Sequence, residues 1–213
     1  MSGPHRLRHL SGLVIAGVLT ATALTACHDS GSETRAATNG KPAAPPAASA
    51  STTQAGAAPC TFSGATAATE GGANAPTRLL TDVRIGVHDC FERVTFEFKP
   101  QPGEAPGPVA WKAGYQPGPI TEDGSGKTVA VKGRAYLVLR FTASGVDLSQ
   151  ANAPQTYTGP TSLEAAGATR IQQVRRTGDF EAVLTWVIGL DKQRPFKVTT
   201  QDSPTRVVVD VGD

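Results

Sequence analysis

The sequence lacks an apolar run long enough to cross a membrane as a helix. Its apolar stretch near the amino terminus, Leu13–Leu24, is shorter than the ~20 residues that a spanning helix needs. No internal repeat of 20–50 residues is visible either, which argues against a repeat architecture. The sequence therefore does not predict a permanent transmembrane anchor.

Histidine is too scarce for the common catalytic constellations. Of the 4 histidines, only His88 lies in a segment with a folded pattern, so a serine or cysteine nucleophile with a histidine base would have to use it. No Gly-x-Ser-x-Gly, His-Glu-x-x-His or complete phosphate-binding Gly-x-x-x-x-Gly-Lys-Ser/Thr motif occurs. We therefore predict no catalytic residues, no bound metal and no cofactor.

Two carboxylate arrangements keep an enzymatic alternative open. Asp179 and Glu181 flank a predicted turn, Asp82 and Asp89 flank a predicted hairpin, and paired carboxylates can hydrolyse glycosides. Acidic residues are equally ordinary at turns and on solvated strand faces. The segment Glu122–Gly126 has the composition of a calcium loop but lacks the later carboxylates that such a site needs, so we predict a turn there.

The amino terminus has the order of a secretory signal. A basic start with Arg6 and Arg8 precedes the apolar run, which ends in small residues. The segment Leu24-Thr25-Ala26-Cys27 resembles the lipobox of bacterial lipoproteins. The resemblance implies cleavage before Cys27 and attachment of diacylglycerol and fatty acyl chains such as palmitate to this residue. In the alternative, residues 1–26 are an ordinary signal and Cys27 is incidental.

The chain carries no excess of either charge once the signal is removed. Of the 20 Lys and Arg, Arg6 and Arg8 leave with the signal, so 18 remain against 18 Asp and Glu. A neutral balance argues against binding of nucleic acid, or of an anionic membrane, through bulk charge. Membrane contact is instead assigned to the lipid.

A segment with few bulky apolar residues follows the signal. Ala, Thr, Ser, Gly and Pro dominate residues 27–75, and this composition cannot bury enough surface to offset the entropy of ordering. We predict a flexible tether over residues 27–75, whose ~32 residues before Cys60 would reach roughly 30 Å. Residues 76–213 then form one domain, held by the lipid on the extracytoplasmic face of the cell membrane.

Cys60 and Cys90 are the two cysteines outside the lipobox. In an oxidising compartment an even pair in one domain predicts a disulfide. Closing a loop of about 30 residues would contribute roughly 3–4 kcal/mol in the chain-entropy description. Two free thiols, or a metal-binding pair with His88 close by, are the alternatives.

Short runs of alternating apolar and polar residues dominate the predicted domain. Those at Val83–Val87 and Val94–Phe98 are separated by a turn and predict a β-hairpin. Ala135–Phe141 is almost continuously apolar, which predicts a strand covered on both faces. The other predicted elements are short or edge strands within Pro100–Gly126, a turn or two of helix at Ser162–Ala168, a turn at Thr177–Asp179, and strands at Phe180–Leu190, Phe196–Val198 and Val207–Val211. This pattern predicts an all-β fold, an antiparallel sandwich or barrel.

Four of these segments resemble a known family. Leu80–Phe98, Gly178–Asp191, Pro195–Val198 and Arg206–Val211 are similar to the AMIN-like domains of secreted actinobacterial lipoproteins. The resemblance spans Leu79 to Val211. It implies an antiparallel β-sandwich related to the AMIN domains, which attach cell-wall amidases and secretins to the envelope through peptidoglycan.

These observations predict binding rather than catalysis. We expect a lipid-anchored, extracytoplasmic module of the cell envelope that recognises peptidoglycan and is not an enzyme. The first alternative is a protein–protein scaffold that docks an envelope enzyme through a sheet edge or a loop face. The second is an enzyme that uses His88 or the paired carboxylates.

Loops with aromatic and adjustable polar groups are the expected ligand contacts. Trp111, Lys112 and Tyr115 lie in the Pro/Gly-rich region, where a flat ring can stack on a sugar while Lys112 meets a peptide carboxylate. Arg175 and Arg176 are a second set for anionic stem-peptide groups, because arginine binds carboxylates in a bidentate fashion. The alternative for all five residues is loop packing and solubility.

Overall fold

The computed structural model describes residues 60–213. The predicted signal peptide, Cys27 and the tether up to residue 59 lie outside these described residues. Every helix or strand element in the described range is a β-strand, so the prediction of an all-β fold is confirmed. Within residues 60–213 no helix is long and apolar enough to cross a membrane.

The strands are numbered in chain order. They are β1 Thr69–Gly71, β2 Arg78–Val87, β3 Phe91–Lys99, β4 Trp111–Gln116, β5 Ala135–Ser144, β6 Ser162–Leu163, β7 Ile171–Phe180, β8 Val183–Leu190, β9 Phe196–Asp202 and β10 Thr205–Gly212. The predicted first hairpin is β2 and β3, and the predicted strand at Ala135–Phe141 lies within β5.

The strands form two sheets that face each other. Sheet 1 has the order β2-β3-β10-β9 and sheet 2 has the order β1-β4-β5-β8-β7-β6, with antiparallel neighbours throughout. A short parallel pairing of Arg78–Leu79 in β2 with Ala143–Ser144 in β5 joins them into one continuous mixed sheet. The predicted antiparallel β-sandwich is therefore confirmed, with this one parallel joint.

Aromatic side chains fill the space between the sheets. The ring of Phe96 in β3 lies 5.0 Å from that of Phe141 in β5 and 5.8 Å from that of Trp186 in β8, measured between centroids. All three side chains are buried. Full burial of a large apolar side chain stabilises the fold by about 1.5–3 kcal/mol. The period-two alternation of the strands places these residues on the inner faces.

Strand β5 is covered on both faces, as its apolar run predicted. Leu137 and Leu139 point into the main core. Val138 points to the outer face of sheet 2, where it packs in a smaller cluster with Val187 and with Ile120 from the segment between β4 and β5. This segment therefore covers part of the outer face and leaves the part nearer β1 open.

The turn before β8 lies later than predicted. β7 continues through Thr177–Asp179 with an irregular register, and the turn residues are Glu181 and Ala182, with φ of 51° and 60°. Gly178 serves close packing instead of a turn, because a Cβ there would collide with the side chain of Asp123. A two-residue turn with two positive φ angles usually contains Asn and Gly. Because Glu and Ala occupy this turn, the sequence did not predict it.

The predicted helical turn at Ser162–Ala168 is wrong. Ser162–Leu163 forms β6 and pairs with Val174 and Arg175 of β7, and no helix occurs there. Pairing with a neighbouring strand outweighs the weak helical preference of the local composition.

Residues 60–75 belong to the sandwich, so the predicted extension of the tether to residue 75 is wrong. Main-chain hydrogen bonds of 3.0 and 2.9 Å link Ala65 with Phe196, and β1 pairs residue by residue with β4. Hydrogen bonds to neighbouring strands hold this segment, which has few large apolar side chains to bury. Composition alone could not reveal this.

The predicted disulfide between Cys60 and Cys90 is confirmed, with Cα atoms 5.1 Å apart. It ties the start of the described segment to the turn between β2 and β3. Phe62 packs beside it, with a ring centroid 6.4 Å from that of Phe91. The alternatives of free thiols or a metal-binding pair are set aside.

Candidate functional site

Three of the predicted ligand contacts lie on a strand and not in a loop. Trp111, Lys112 and Tyr115 belong to β4, which is hydrogen-bonded to β1 on one side and to β5 on the other. The loop placement is therefore wrong. Alternation along β4 turns the two aromatic residues toward the core and Lys112 toward the outer face of sheet 2.

Trp111 is part of the core. It is 7% exposed and lies between Phe141 of β5 and Gly71 of β1, the residues directly opposite it. Gly71 leaves room for the indole, because a Cβ at that position would collide with the ring. The indole N–H has no hydrogen-bond partner among the described residues. The ring is thus held between strands and does not lie free for stacking on a sugar.

Tyr115 is anchored by its hydroxyl group. The hydroxyl donates a hydrogen bond of 2.6 Å to the carbonyl oxygen of Arg194 and accepts one of 2.9 Å from the main-chain N–H of the same residue. Its ring meets Phe196 edge-on, with centroids 5.9 Å apart. Burial raises the pKa of Tyr115. This side chain therefore joins β4 to the loop before β9.

A groove lies on the open part of the outer face of sheet 2, across β1, β4 and β5. It consists of two cavities, of about 590 and 370 Å³, which share Glu70, Lys112 and Arg140. We call the surface formed by these two cavities the outer groove. Its other lining residues include Gly71, Asn74, Trp111, Phe141, Thr142 and Val183 at one end and Tyr115, Gln116 and Val138 at the other.

The outer groove carries a net positive charge. Among its lining residues Lys112 and Arg140 are cationic and Glu70 is the one anionic residue. Lys112 forms a solvent-exposed ion pair of 3.0 Å with Glu70. Arg140 donates a long hydrogen bond of 3.3 Å to the side-chain oxygen of Gln116. The groove can therefore accept an anionic group beside apolar and hydroxyl-bearing ones.

Arg175 and Arg176 lie away from the outer groove. They are in β7, separated from β5 by β8, and as adjacent strand residues they point to opposite faces. Arg176 lies 3.6 Å from the carboxylate of Asp179, which in turn accepts a 2.9 Å hydrogen bond from the main-chain N–H of Gly145. The structure does not unite the two predicted contact sets.

Three residues of the enzymatic alternative make contacts within the fold. His88 stacks on Phe91, with centroids 4.5 Å apart, in the turn after β2. Asp82 pairs with Arg84 at 2.6 Å, and Asp179 is engaged as described above. Across residues 60–213 no three His, Cys, Asp or Glu side chains form a group that could hold a metal ion.

One buried carboxylate is fully engaged in the fold. Glu92 is 0% exposed and accepts hydrogen bonds from the main-chain N–H groups of Thr169 (2.7 Å), Arg170 (3.1 Å) and Ile171 (2.6 Å). Burial alone would raise the pKa of Glu92, but these donors outweigh it and hold the pKa below its usual value. The group is an ionised structural acceptor.

Sequence reasoning found Lys112 and missed its partners. Arg140 is the only charged residue of β5. A single charge in an otherwise apolar strand could have marked Arg140 as a candidate binding residue. Glu70 lies in the segment assigned to the tether, so its position beside Lys112 could not be foreseen. Val183 contributes to the outer groove because the turn before β8 lies at Glu181 and Ala182.

The comparisons with known proteins agree with the fold. Residues 78–213 match the AMIN-like domain family, so the chain belongs to this family. The resemblance drawn from the sequence segments is confirmed at that level. No curated protein and no solved structure matches the chain. Membership in the family suggests a cell-envelope, peptidoglycan-related module.

Proposed function

We propose that the chain is a lipid-anchored, extracytoplasmic module that binds peptidoglycan and is not an enzyme. Family membership supports an envelope role, and the lipobox-like Leu24–Cys27 supports the anchor. The observation that carries the binding role is the outer groove, in which Lys112 and Arg140 stand beside the exposed Val183 on the open part of the outer face of sheet 2. Peptidoglycan offers carboxylates, amides and sugars to such a surface.

Pull-down on purified cell-wall sacculi tests the binding role. We would use the soluble chain, residues 27–213 with Cys27→Ser, at micromolar concentration. Retention on sacculi from which wall-bound proteins have been stripped supports recognition of the polymer itself. Absence of retention on stripped and unstripped sacculi alike would refute the proposal.

Acylation of Cys27 is part of the same proposal. Cys27→Ser in the full chain should leave a precursor that is neither cleaved nor labelled by a fatty-acid probe. The matched control is Cys60→Ser, which removes a cysteine but keeps the acylation site. A Cys27→Ser protein that still incorporates the probe would show that the lipid, if any, is elsewhere.

A protein–protein scaffold is the second candidate, favoured by an exposed apolar pair. Phe180 and Val183 face each other across the β7–β8 hairpin and are 56% and 42% exposed. Phe180→Ser, which leaves Val183 of the outer groove in place, should weaken retention on unstripped sacculi if a wall-bound protein is the partner. Leu148→Ser, at a position 71% exposed, is the control. Retention on stripped sacculi that survives Phe180→Ser favours the polymer.

A further inference from the structure

Two like charges stand directly opposite each other in the outer groove. Lys112 of β4 and Arg140 of β5 are register partners and line both cavities, so their side chains leave the same face. Directly opposite residues of an antiparallel pair have Cβ atoms about 4.5–5.5 Å apart, and like charges there are destabilising. The fold tolerates an unfavourable pair at this position.

Elsewhere the chain neutralises cross-strand charges with its own residues. Arg93 lies opposite Asp210 and binds it in a bidentate fashion, at 2.6 and 2.9 Å. Asp82 and Glu97 are two opposed carboxylates, and Arg84 lies at 2.6 Å from the first and 3.5 Å from the second. A like-charge pair in this sandwich is thus bridged by a counter-charge.

In the outer groove only one of the two like charges has a counter-charge. Glu70 pairs with Lys112 from the far side, on β1. No carboxylate of residues 60–213 lies within ion-pair distance of Arg140, whose side chain reaches only Gln116. The guanidinium therefore has donors available for an anion from outside the chain. Local rules of stability are commonly broken at functional sites.

We propose that Arg140, assisted by Lys112, binds the free carboxylate of a short aliphatic peptide in the outer groove. The proposal rests on the proposed function and names the part of the wall polymer that this site takes. A guanidinium holds a carboxylate through two parallel hydrogen bonds. Val183, which is 42% exposed, lines the same cavity together with Ala73 and Ala110, and these side chains accept a small aliphatic group next to that carboxylate.

The apolar lining favours a peptide carboxylate over a phosphate. A polyol phosphate has no apolar side chain to place against Val183 and the neighbouring alanines, whereas an alanine-like residue has a methyl group. The larger cavity, of about 590 Å³, is within the range of small-ligand sites. Gln116, at the other end of the groove, and Glu70, which lines both cavities, offer acceptors to the peptide N–H groups.

An NMR titration of the soluble chain tests the ligand chemistry. The probe is acetyl-D-alanyl-D-alanine, compared with its carboxamide and with glycerol phosphate. We expect shifts of the amide signals of β4 and β5 with the free carboxylate, and binding at least tenfold weaker with the carboxamide. Equal binding of carboxylate and carboxamide, or tighter binding of glycerol phosphate, would overturn the proposal.

Substitution of Arg140 separates a binding role from a structural one. Arg140→Glu should abolish carboxylate binding and raise the melting temperature by about 1–4 °C, because it creates an opposite-charge pair with Lys112. Arg134→Gln, a change of an exposed arginine outside the groove, should affect neither quantity. Arg140→Gln should weaken binding at least tenfold without loss of stability.

Two results would contradict this assignment. Unchanged carboxylate binding by Arg140→Glu would place the site elsewhere, and a lower melting temperature would show that Arg140 is a structural residue. The sacculus pull-down tests the proposed wall binding independently of the carboxylate site. A chain that is retained on stripped sacculi but ignores the carboxylate probe binds the wall by another surface, which refutes this inference alone.

Discussion

Glu92 shows how one residue can fasten the two sheets together. Its carboxylate, on β3 of sheet 1, accepts the main-chain N–H groups of residues 169–171 at the start of β7 in sheet 2. Hydrogen bonds to a charged acceptor are about twice as strong as neutral ones, and a buried charge without them is costly. The sequence showed only a polar position in an alternating strand.

Replacement of Glu92 should therefore be strongly destabilising. Glu92→Gln keeps the shape but removes one acceptor oxygen and turns an N–H₂ group toward main-chain donors, so we expect a loss of about 2–4 kcal/mol in the free energy of unfolding at pH 7. The measurement is urea denaturation. Glu181→Gln, at an exposed position, is the control and should change stability by less than about 0.5 kcal/mol.

The same residue predicts a pH dependence with a defined sign. The pKa of Glu92 is lower in the folded chain than its usual 4.5, so its contribution is fully present above that value and is lost as the pH falls through the folded-state pKa. Between pH 5 and strongly acidic conditions, the wild type should lose more stability than Glu92→Gln. Parallel pH profiles of the two proteins would contradict this account.

At the scale of elements, the β7–β8 hairpin has an unfavourable turn. Glu181 and Ala182 both have positive φ, which costs an L-residue with a Cβ roughly 1–2 kcal/mol per position. Asn and Gly are the residues that suit such a turn. Glu181→Asn with Ala182→Gly should therefore raise the free energy of unfolding by about 1 kcal/mol, measured by urea denaturation.

A matched glycine substitution controls for the change in chain entropy. Ala151→Gly alters an exposed alanine that is not among the residues with positive φ, so it should leave stability unchanged or lower it slightly. Equal effects of the two changes would mean that the hairpin turn carries no strain.

Strands could be predicted where burial of one face decides the structure. β2, β3, β5 and β10 follow alternating or continuous apolar runs, and each supplies the core. β1 and β6 escaped prediction because hydrogen bonds to a neighbouring strand define them, and that neighbour cannot be read from local sequence. The outer groove escaped for the same reason: Lys112 and Arg140 are opposed only through the register of β4 and β5.

At the scale of the whole molecule, the disulfide should be a major source of stability. Cys60 and Cys90 are separated by 30 residues, so removal of the bond by Cys60→Ser with Cys90→Ser should cost roughly 3–4 kcal/mol by the chain-entropy argument. Urea denaturation of the double variant against the oxidised wild type measures the difference. The variant with Cys27→Ser alone keeps the bond and is the control. A loss below about 1 kcal/mol would show that Phe62 and the neighbouring contacts hold the segment unaided.

The bond also determines where mechanical force enters the sandwich. A pull on the chain from the amino-terminal side reaches Cys60 and passes through the sulfur atoms to Cys90, at the head of β3. Residues 61–89 lie inside the covalent loop, so tension bypasses β1 and β2. If a membrane holds the amino terminus and the wall occupies the outer groove, a pull on the chain does not peel β1, which borders this groove, away from β4. Binding of the wall in the outer groove would then persist while the tether is stretched.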